Sequence, residues 1–176
     1  MTRPTPPRDH RAAAVRWLLT AVANPGRTRA DWESSEVALM PCGDLFGAVR
    51  LELDLLHAAA GTHEWPAVAD YTRRELGGGP VLAHPRSRHV YALISPAATR
   101  RWKDDGGAEA LGSGTYLGVP SPERTEPEGI DAYWLVPLRR PGVLCGTTAL
   151  TRFLATARAA RARAARQAGE GGAQGA

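Results

Sequence analysis

A short charged stretch holds the first residues of this chain that could do chemistry. From Val49 to Asp54 apolar and charged residues alternate, in the order Val-Arg-Leu-Glu-Leu-Asp. Because successive side chains of a β-strand point to opposite faces, a strand here would place Arg50, Glu52 and Asp54 together on one face. Neighbouring carboxylates suit Mg²⁺, and two-metal phosphoryl-transfer sites need such ligands. The same alternation also fits an ordinary half-buried strand with a solvated face.

Further motifs accompany this stretch in a definite order. Trp32 and the segment 41–53 come first, residues 86–96 read RSRHVYALISP, and residues 112–122 read GSGTYLGVPSP. Together they resemble the N-terminal domain of bifunctional DNA primase-polymerases, in the archaeo-eukaryotic primase superfamily. The resemblance covers roughly residues 32–137, and the order of the motifs carries it more than any single motif does.

The resemblance implies a site in which two strand acids and a third acid hold metal ions while a histidine contacts the triphosphate. Matched residue by residue, the histidine is His89 and the third acid is Glu109. The acid pair falls on Arg50 and Glu52 in one register, or on Glu52 and Asp54 two residues later, and both registers stay open. An active member would use Glu52, Asp54 and Glu109 as catalytic metal ligands, with Mg²⁺ or Mn²⁺ as cofactor.

Arg50 departs from the family pattern because it stands at an acid position in the first register. A guanidinium there would repel Mg²⁺ and would instead pair with Glu52 or bind a phosphate directly. Arg86 and Arg88, just before His89, are further candidates for phosphate contacts. These features favour a degenerate domain that binds nucleotide or nucleic acid, DNA included, with little or no polymerisation. A metal-dependent nucleotidyltransferase and a non-catalytic protein-interaction module are the alternatives.

An arginine-rich segment, residues 147–168, dominates the charge of the chain. It holds five arginines and no acid, so the rest of the chain carries a net charge of about −1 although the whole carries +4. An apolar stripe of Leu150, Phe153 and Leu154 predicts a helix whose first half docks on the core. The second half is either a solvated extension or a nucleic-acid contact. The residues of that contact would be Arg158, Arg161, Arg163 and Arg166.

The apolar periodicity predicts the elements that position these residues. A first helix is expected over residues 9–23, where apolar residues recur at helical spacing. The strands expected from β-type patterns are 37–40 paired with 48–53, 81–84 paired with 89–94, 115–119 and 132–136. This order predicts a single α+β domain with a mainly antiparallel sheet flanked by helices, similar to primase-polymerases. The strands containing Val49, His89 and Thr115 are expected in one sheet.

Composition sets the outer limits of these predictions. The chain has 176 residues, of which 43% are hydrophobic, enough for one core. The expected parts are a disordered start (1–9), the domain (10–146), the arginine helix (147–168) and a flexible tail (169–176). No apolar run reaches the ~20 residues that span a bilayer, and the first residues lack an apolar signal region, so a cytoplasmic protein is expected. Cys42 and Cys145 predict neither a disulfide nor a zinc site.

Overall fold

Helices and strands alternate irregularly along the described part of the chain. The computed structural model describes residues 8–35, 37–104, 106–129 and 131–173. Its helices are α1 (Arg8–Leu19), α2 (Pro25–Ser34), α3 (Leu53–Ala60), α4 (Trp65–Glu75), α5 (Pro96–Arg101) and α6 (Thr147–Ala173). Its strands are β1 (Val37–Pro41), β2 (Gly47–Glu52), β3 (Val81–His84), β4 (His89–Ile94), β5 (Ala108–Leu111), β6 (Tyr116–Pro120) and β7 (Tyr133–Val136).

Five of the strands form an antiparallel sheet in the order β5-β2-β4-β3-β7. The predicted pairing of the 81–84 and 89–94 strands is confirmed, with His84 opposite His89. The predicted α+β class with a mainly antiparallel sheet is confirmed as well. β2 and β4 are flanked on both sides, so the residues on these two strands occupy positions fixed by hydrogen bonding to two neighbours.

One face of this sheet packs against three helices. Val49, Leu51 and Val90 on this face are buried against α3, α4 and α6. The helices contribute apolar stripes to the same core, including Leu55 from α3 and Phe153 from α6. Burying apolar area on both layers is what stabilises an α/β layer pair, at about 25 cal/mol per Å².

The opposite face is covered only at one end. There Ala48, Leu82 and Leu93 pack against α1, α2 and a two-stranded ribbon of β1 and β6. The other end of the same face carries Arg50 and Glu52, which the strand alternation places two and four residues beyond Ala48. The ribbon thus leaves a charged end of the sheet open.

The ribbon corrects two predictions about strand partners. β1 does not pair with β2; it pairs with β6, with Leu39 opposite Gly118. The Thr115 strand therefore lies outside the sheet that holds Val49 and His89. Three side chains donate hydrogen bonds to backbone oxygens of β6 and hold the strand in its place. Trp32 Nε1 donates to Val119 O at 3.0 Å, and Trp134 Nε1 donates to Pro120 O at 3.1 Å. His84 Nε2 donates to Gly118 O at 2.9 Å.

β5 occupies the sheet edge beside β2, where no strand was predicted. Its sequence is Ala-Glu-Ala-Leu, and alanine and glutamate are poor strand formers. Pairing with β2 outweighs that weak local preference, and it places Glu109 opposite Arg50. The edge strand is therefore set by its neighbour in the sheet more than by its own residues.

The helix at the C-terminal side is longer than predicted. α6 runs to Ala173 rather than ending near residue 168, so part of the predicted tail is helical. At the other end α1 already begins at Arg8, and residues 1–7 of the predicted disordered start lie outside the described residues. Within the described ranges, no helix combines the length and the apolar character needed to cross a membrane.

Candidate functional site

The strand register brings four of the predicted site residues to one place. Glu52 is directly opposite His89 across β2 and β4, and Arg50 is directly opposite Glu109 across β2 and β5. Directly opposed residues on antiparallel strands have Cβ atoms about 4.5–5.5 Å apart. The four side chains line a small pocket of about 190 Å³ together with Asp104 and Gly107. The resemblance assigns Glu52, His89 and Glu109 to one site, and these three side chains line the same pocket.

Both predicted pocket acids are paired with guanidinium groups. The Arg50 side chain lies 2.5 Å from a carboxylate oxygen of Glu109, and Arg161 of α6 lies 2.6 Å from one of Glu52. All four side chains are about half exposed. Ion pairs of this exposure contribute at most about 1 kcal/mol to stability, so a competing anion or cation can separate them at modest cost.

Asp54 lies outside this pocket, which corrects the prediction that it shares a strand face with Arg50 and Glu52. β2 ends at Glu52, and Asp54 is in the first turn of α3. A helix begins here because it buries Leu53, Leu55 and Leu56 together. A continued strand would point the adjacent Leu55 and Leu56 to opposite faces. Asp54 pairs with Arg88, and this hydrogen bond lowers the pKa of the Asp54 carboxyl.

Arg86 and Arg88 do not join His89 in the pocket. Both lie in the connection between β3 and β4, which forms a 3₁₀ turn over Pro85–Ser87. Arg88 has a φ of 57°, the left-handed conformation, and its guanidinium is held by Asp54. Arg86 extends toward Asp131, 4.0 Å away. The guanidinium groups of Arg86 and Arg88 are therefore directed to acids outside the pocket. Of the three arginines predicted to bind phosphate, only Arg50 lines the pocket with His89.

Asp104 is the pocket residue that the sequence analysis missed. It lies in the loop after α5 and reaches the pocket lined by Glu52 and Glu109. The sequence shows it as part of Lys103-Asp104-Asp105-Gly106-Gly107, which reads as a solvated loop. No local pattern distinguishes Asp104 from any other loop acid, because its contact with the pocket depends on where β5 pairs.

The arginines of α6 do not form one continuous basic face. At 100° per residue, Arg161 continues the buried stripe of Leu150 and Ala157, while Arg163 and Arg166 lie about 140–160° away around the helix. Arg158 is half-buried, whereas Arg161, Arg163 and Arg166 are exposed. A duplex lying along one side of α6 would therefore contact only part of the predicted set.

The predicted acids do not form a metal-binding group in this arrangement. Among the residues that the structure describes, no three His, Cys, Asp or Glu side chains are grouped so as to hold a metal ion. Glu52 and Glu109 face guanidinium groups, and Asp54 lies in α3. Mg²⁺ or Mn²⁺ binding stays a prediction, and it would require Arg50 and Arg161 to leave their carboxylate partners.

Two histidines that do not line the pocket have lowered pKa values. Burial lowers the pKa of His84, whose Nε2 bonds to Gly118 O and joins the sheet to the ribbon. Burial also lowers the pKa of His57, and the neighbouring His63, with Nδ1 2.9 Å from Nδ1 of His57, lowers it further. In both cases the unfolded chain accepts a proton more readily than the folded chain does.

Acidification is therefore expected to destabilise the fold as the pH falls through the ordinary histidine range. Stability should be full above the unfolded histidine pKa of about 6.5 and should decrease toward pH 5, because protons bind preferentially to the unfolded state. Urea unfolding at pH 7.5 and pH 5 measures this. The double variant H57N/H84Q should show a smaller difference between the two pH values; an unchanged difference would assign the effect to other groups. The stabilising contribution of Asp54 is constant across this window, because it is lost only as the pH falls below the ordinary pKa of 3.8.

Comparison with known proteins adds no relative to this picture. No family model, no curated protein and no solved structure matches the chain. The primase-polymerase resemblance accordingly rests on the order of the motifs around Trp32, Glu52 and His89, and the role of the pocket has to be argued from its own residues.

Proposed function

We propose that this chain is a degenerate primase-polymerase-like domain that binds the phosphate groups of a nucleotide or nucleic acid, with little or no polymerisation. The observation that supports this is Arg50, which stands at an acid position of the resembled motif in the first register, lies opposite Glu109, and lines the same pocket as His89. A guanidinium and an imidazole on adjacent strands offer donors to a phosphate.

A phosphate would bind by replacing Glu109 as the ion-pair partner of Arg50. Arg50 is held by Glu109 across a half-exposed ion pair, which costs little to separate. A phosphate carries more charge than the carboxylate and accepts two parallel N–H bonds from a guanidinium. His89, opposite Glu52, lies within the same pocket and would contact a neighbouring phosphate oxygen.

The size of the pocket limits what it can enclose. Pockets that enclose a small organic ligand have volumes of about 300–1,000 Å³, and this one has about 190 Å³. It therefore suits phosphate groups, while the sugar and base would remain outside. Such a ligand would be recognised mainly by its charge, and its affinity would fall with rising salt.

A second candidate function, a metal-dependent nucleotidyltransferase, is favoured by one observation. Three carboxylates, of Glu52, Asp104 and Glu109, line the same pocket. The present cationic partners of Glu52 and Glu109 are Arg161 and Arg50. The two functions differ in which cation the acids hold during ligand binding.

Nucleotide binding with and without metal tests the proposal. Binding of dATP at low salt is expected in EDTA as well as in Mn²⁺, because arginine and histidine supply the contacts. H89A and the double variant R50Q/E109Q should each weaken it about tenfold, the loss of roughly one charge-assisted contact. The double variant avoids leaving Glu109 as an unpaired anion. R86Q is the matched control, since Arg86 lies outside the pocket, and it should bind as the wild type does.

Primer extension with Mn²⁺ separates the two candidates. The proposed function predicts no extended product. Product that is abolished by E52Q would establish the nucleotidyltransferase and overturn the proposal. Absence of binding in every condition would also overturn it and would favour the protein-interaction alternative, for which exposed Leu39 and Tyr116 on the ribbon are the candidate contacts.

A further inference from the structure

A second cleft lies between α5 and α6, apart from the pocket of Arg50 and His89. Its volume is about 440 Å³, within the range of clefts that bind small organic ligands. The residues around it come from the end of α5, the loop after it and the first two turns of α6. They are Ala98, Arg101, Trp102, Lys103, Thr147, Thr151 and Leu154.

The charge of this cleft has one sign among its described lining residues. Arg101 and Lys103 line it, no carboxylate does, and neither cation has an ion-pair partner among the described residues. The larger cleft beside Trp32, about 500 Å³, differs because acids such as Glu33 and Glu123 line it alongside arginines. Two cations on one concave surface whose described lining residues include no acid favour an anionic ligand.

Part of the wall of the cleft is apolar, and its aromatic residue is held by a hydrogen bond. Trp102 donates its Nε1 hydrogen to Ala108 O at 2.8 Å, which holds the indole ring at the cleft. Leu154 and Ala98 are buried beneath it. An aromatic wall held in this way can pack against a planar ring of a ligand, as aromatic side chains do with nucleic-acid bases.

The start of α6 adds hydroxyl groups to the same cleft. Thr147 and Thr151 are four residues apart and therefore lie on one face of the helix. The first turn of α6 contains no acid, so nothing there offsets the partial positive charge of the helix start. This adds to the attraction that Arg101 and Lys103 exert on an anion.

We propose that the cleft between α5 and α6 binds a small phosphate ester that carries a planar ring, such as a nucleoside monophosphate. The phosphate lies against Arg101, Lys103 and the threonine hydroxyls, and the ring packs against Trp102. This site is separate from the phosphate pocket on the sheet and does not depend on the function proposed for that pocket.

Calorimetric titration of the full chain at low ionic strength tests this site, with adenosine 5′-monophosphate as the probe. Saturable binding is expected, and R101Q/K103Q should weaken it at least tenfold, about 1.4 kcal/mol. R100Q is the matched control: Arg100 is the exposed neighbour that does not line the cleft, so its replacement should leave binding unchanged. Unchanged binding in R101Q/K103Q would overturn the proposal.

Two further measurements locate the ligand and test the ring. Adding R101Q/K103Q to R50Q/E109Q should weaken, at least tenfold, the binding of adenosine 5′-monophosphate that R50Q/E109Q retains; if R50Q/E109Q alone loses all binding, the ligand occupies the sheet pocket and the proposed cleft is wrong. Ribose 5-phosphate, which lacks the planar ring, should bind more weakly. Equal affinity of the two phosphate esters would overturn the role of Trp102.

Discussion

Replacing Phe153 with alanine is expected to lower the free energy of unfolding by about 3–5 kcal/mol. Phe153 is 2% exposed and packs from α6 into the core between the sheet and the helices, with its ring 6.1 Å from that of Tyr71. The variant would lose this transfer energy and leave a cavity that the rigid sheet cannot close. Urea unfolding measures the difference.

The neighbouring position provides the control for Phe153. Arg152 is exposed on the opposite side of α6, so R152A should change stability by no more than about 0.5 kcal/mol. F153L keeps most of the apolar volume and should cost less than F153A, about 1.5 kcal/mol or below. If F153A and R152A were equally stable, α6 would not be docked through Phe153 as described.

Replacing Gly43 with alanine is expected to cost about 2–5 kcal/mol, from backbone strain and overpacking together. Gly43 has a φ of +114°, and a Cβ there would lie 2.6 Å from Ser113 Cα and 2.7 Å from Ser113 N. Backbone atoms cannot move aside as a flexible side chain can. The turn would have to open, and with it the link between the ribbon and β2.

Gly114 separates strain from crowding in this experiment. It lies next to Ser113, has a φ of +85°, and a Cβ there would meet no atom within 4 Å. G114A should therefore show only the conformational cost, about 1–2 kcal/mol. Thermal or urea unfolding of the two variants side by side gives the comparison. Equal losses would mean that Gly43 is not in close contact with Ser113.

The sequence predicted the fold well where neighbouring residues decide the structure. The alternation through Val49, Arg50, Leu51 and Glu52 is a strand, and the two segments around the 85–88 turn pair as expected. The prediction was wrong where tertiary packing decides. The same alternation continues to Asp54, yet burial of the following leucines starts α3. Pairing of β1 with β6 joins segments about eighty residues apart, which no local pattern specifies.

The residues of the candidate site were likewise predicted where a local pattern specifies them and missed where tertiary packing decides. Arg50 and Glu52 were placed on one face by the period of a strand, whereas His89 and Glu109 were assigned by the order of the motifs that carry the resemblance. Arg86 and Arg88 were placed wrongly because side-chain directions in a turn follow its backbone angles rather than a period. The contacts of Asp104 and Arg161 with the pocket depend on a loop and on the end of a long helix, and only the assembled fold shows them.

α6 is one continuous helix, yet its two ends will respond differently to local opening. Up to Ala157 its inner face is buried, whereas the described side chains from Arg161 to Gly169 are all exposed. The thirteen residues from Arg161 to Ala173 extend over about 20 Å of helix. Their amide hydrogens will exchange with solvent through fraying of the helix, while those near Phe153 will exchange only when the whole domain opens. Release of Glu52 by Arg161 can therefore occur by fraying of this end, without any change in the core.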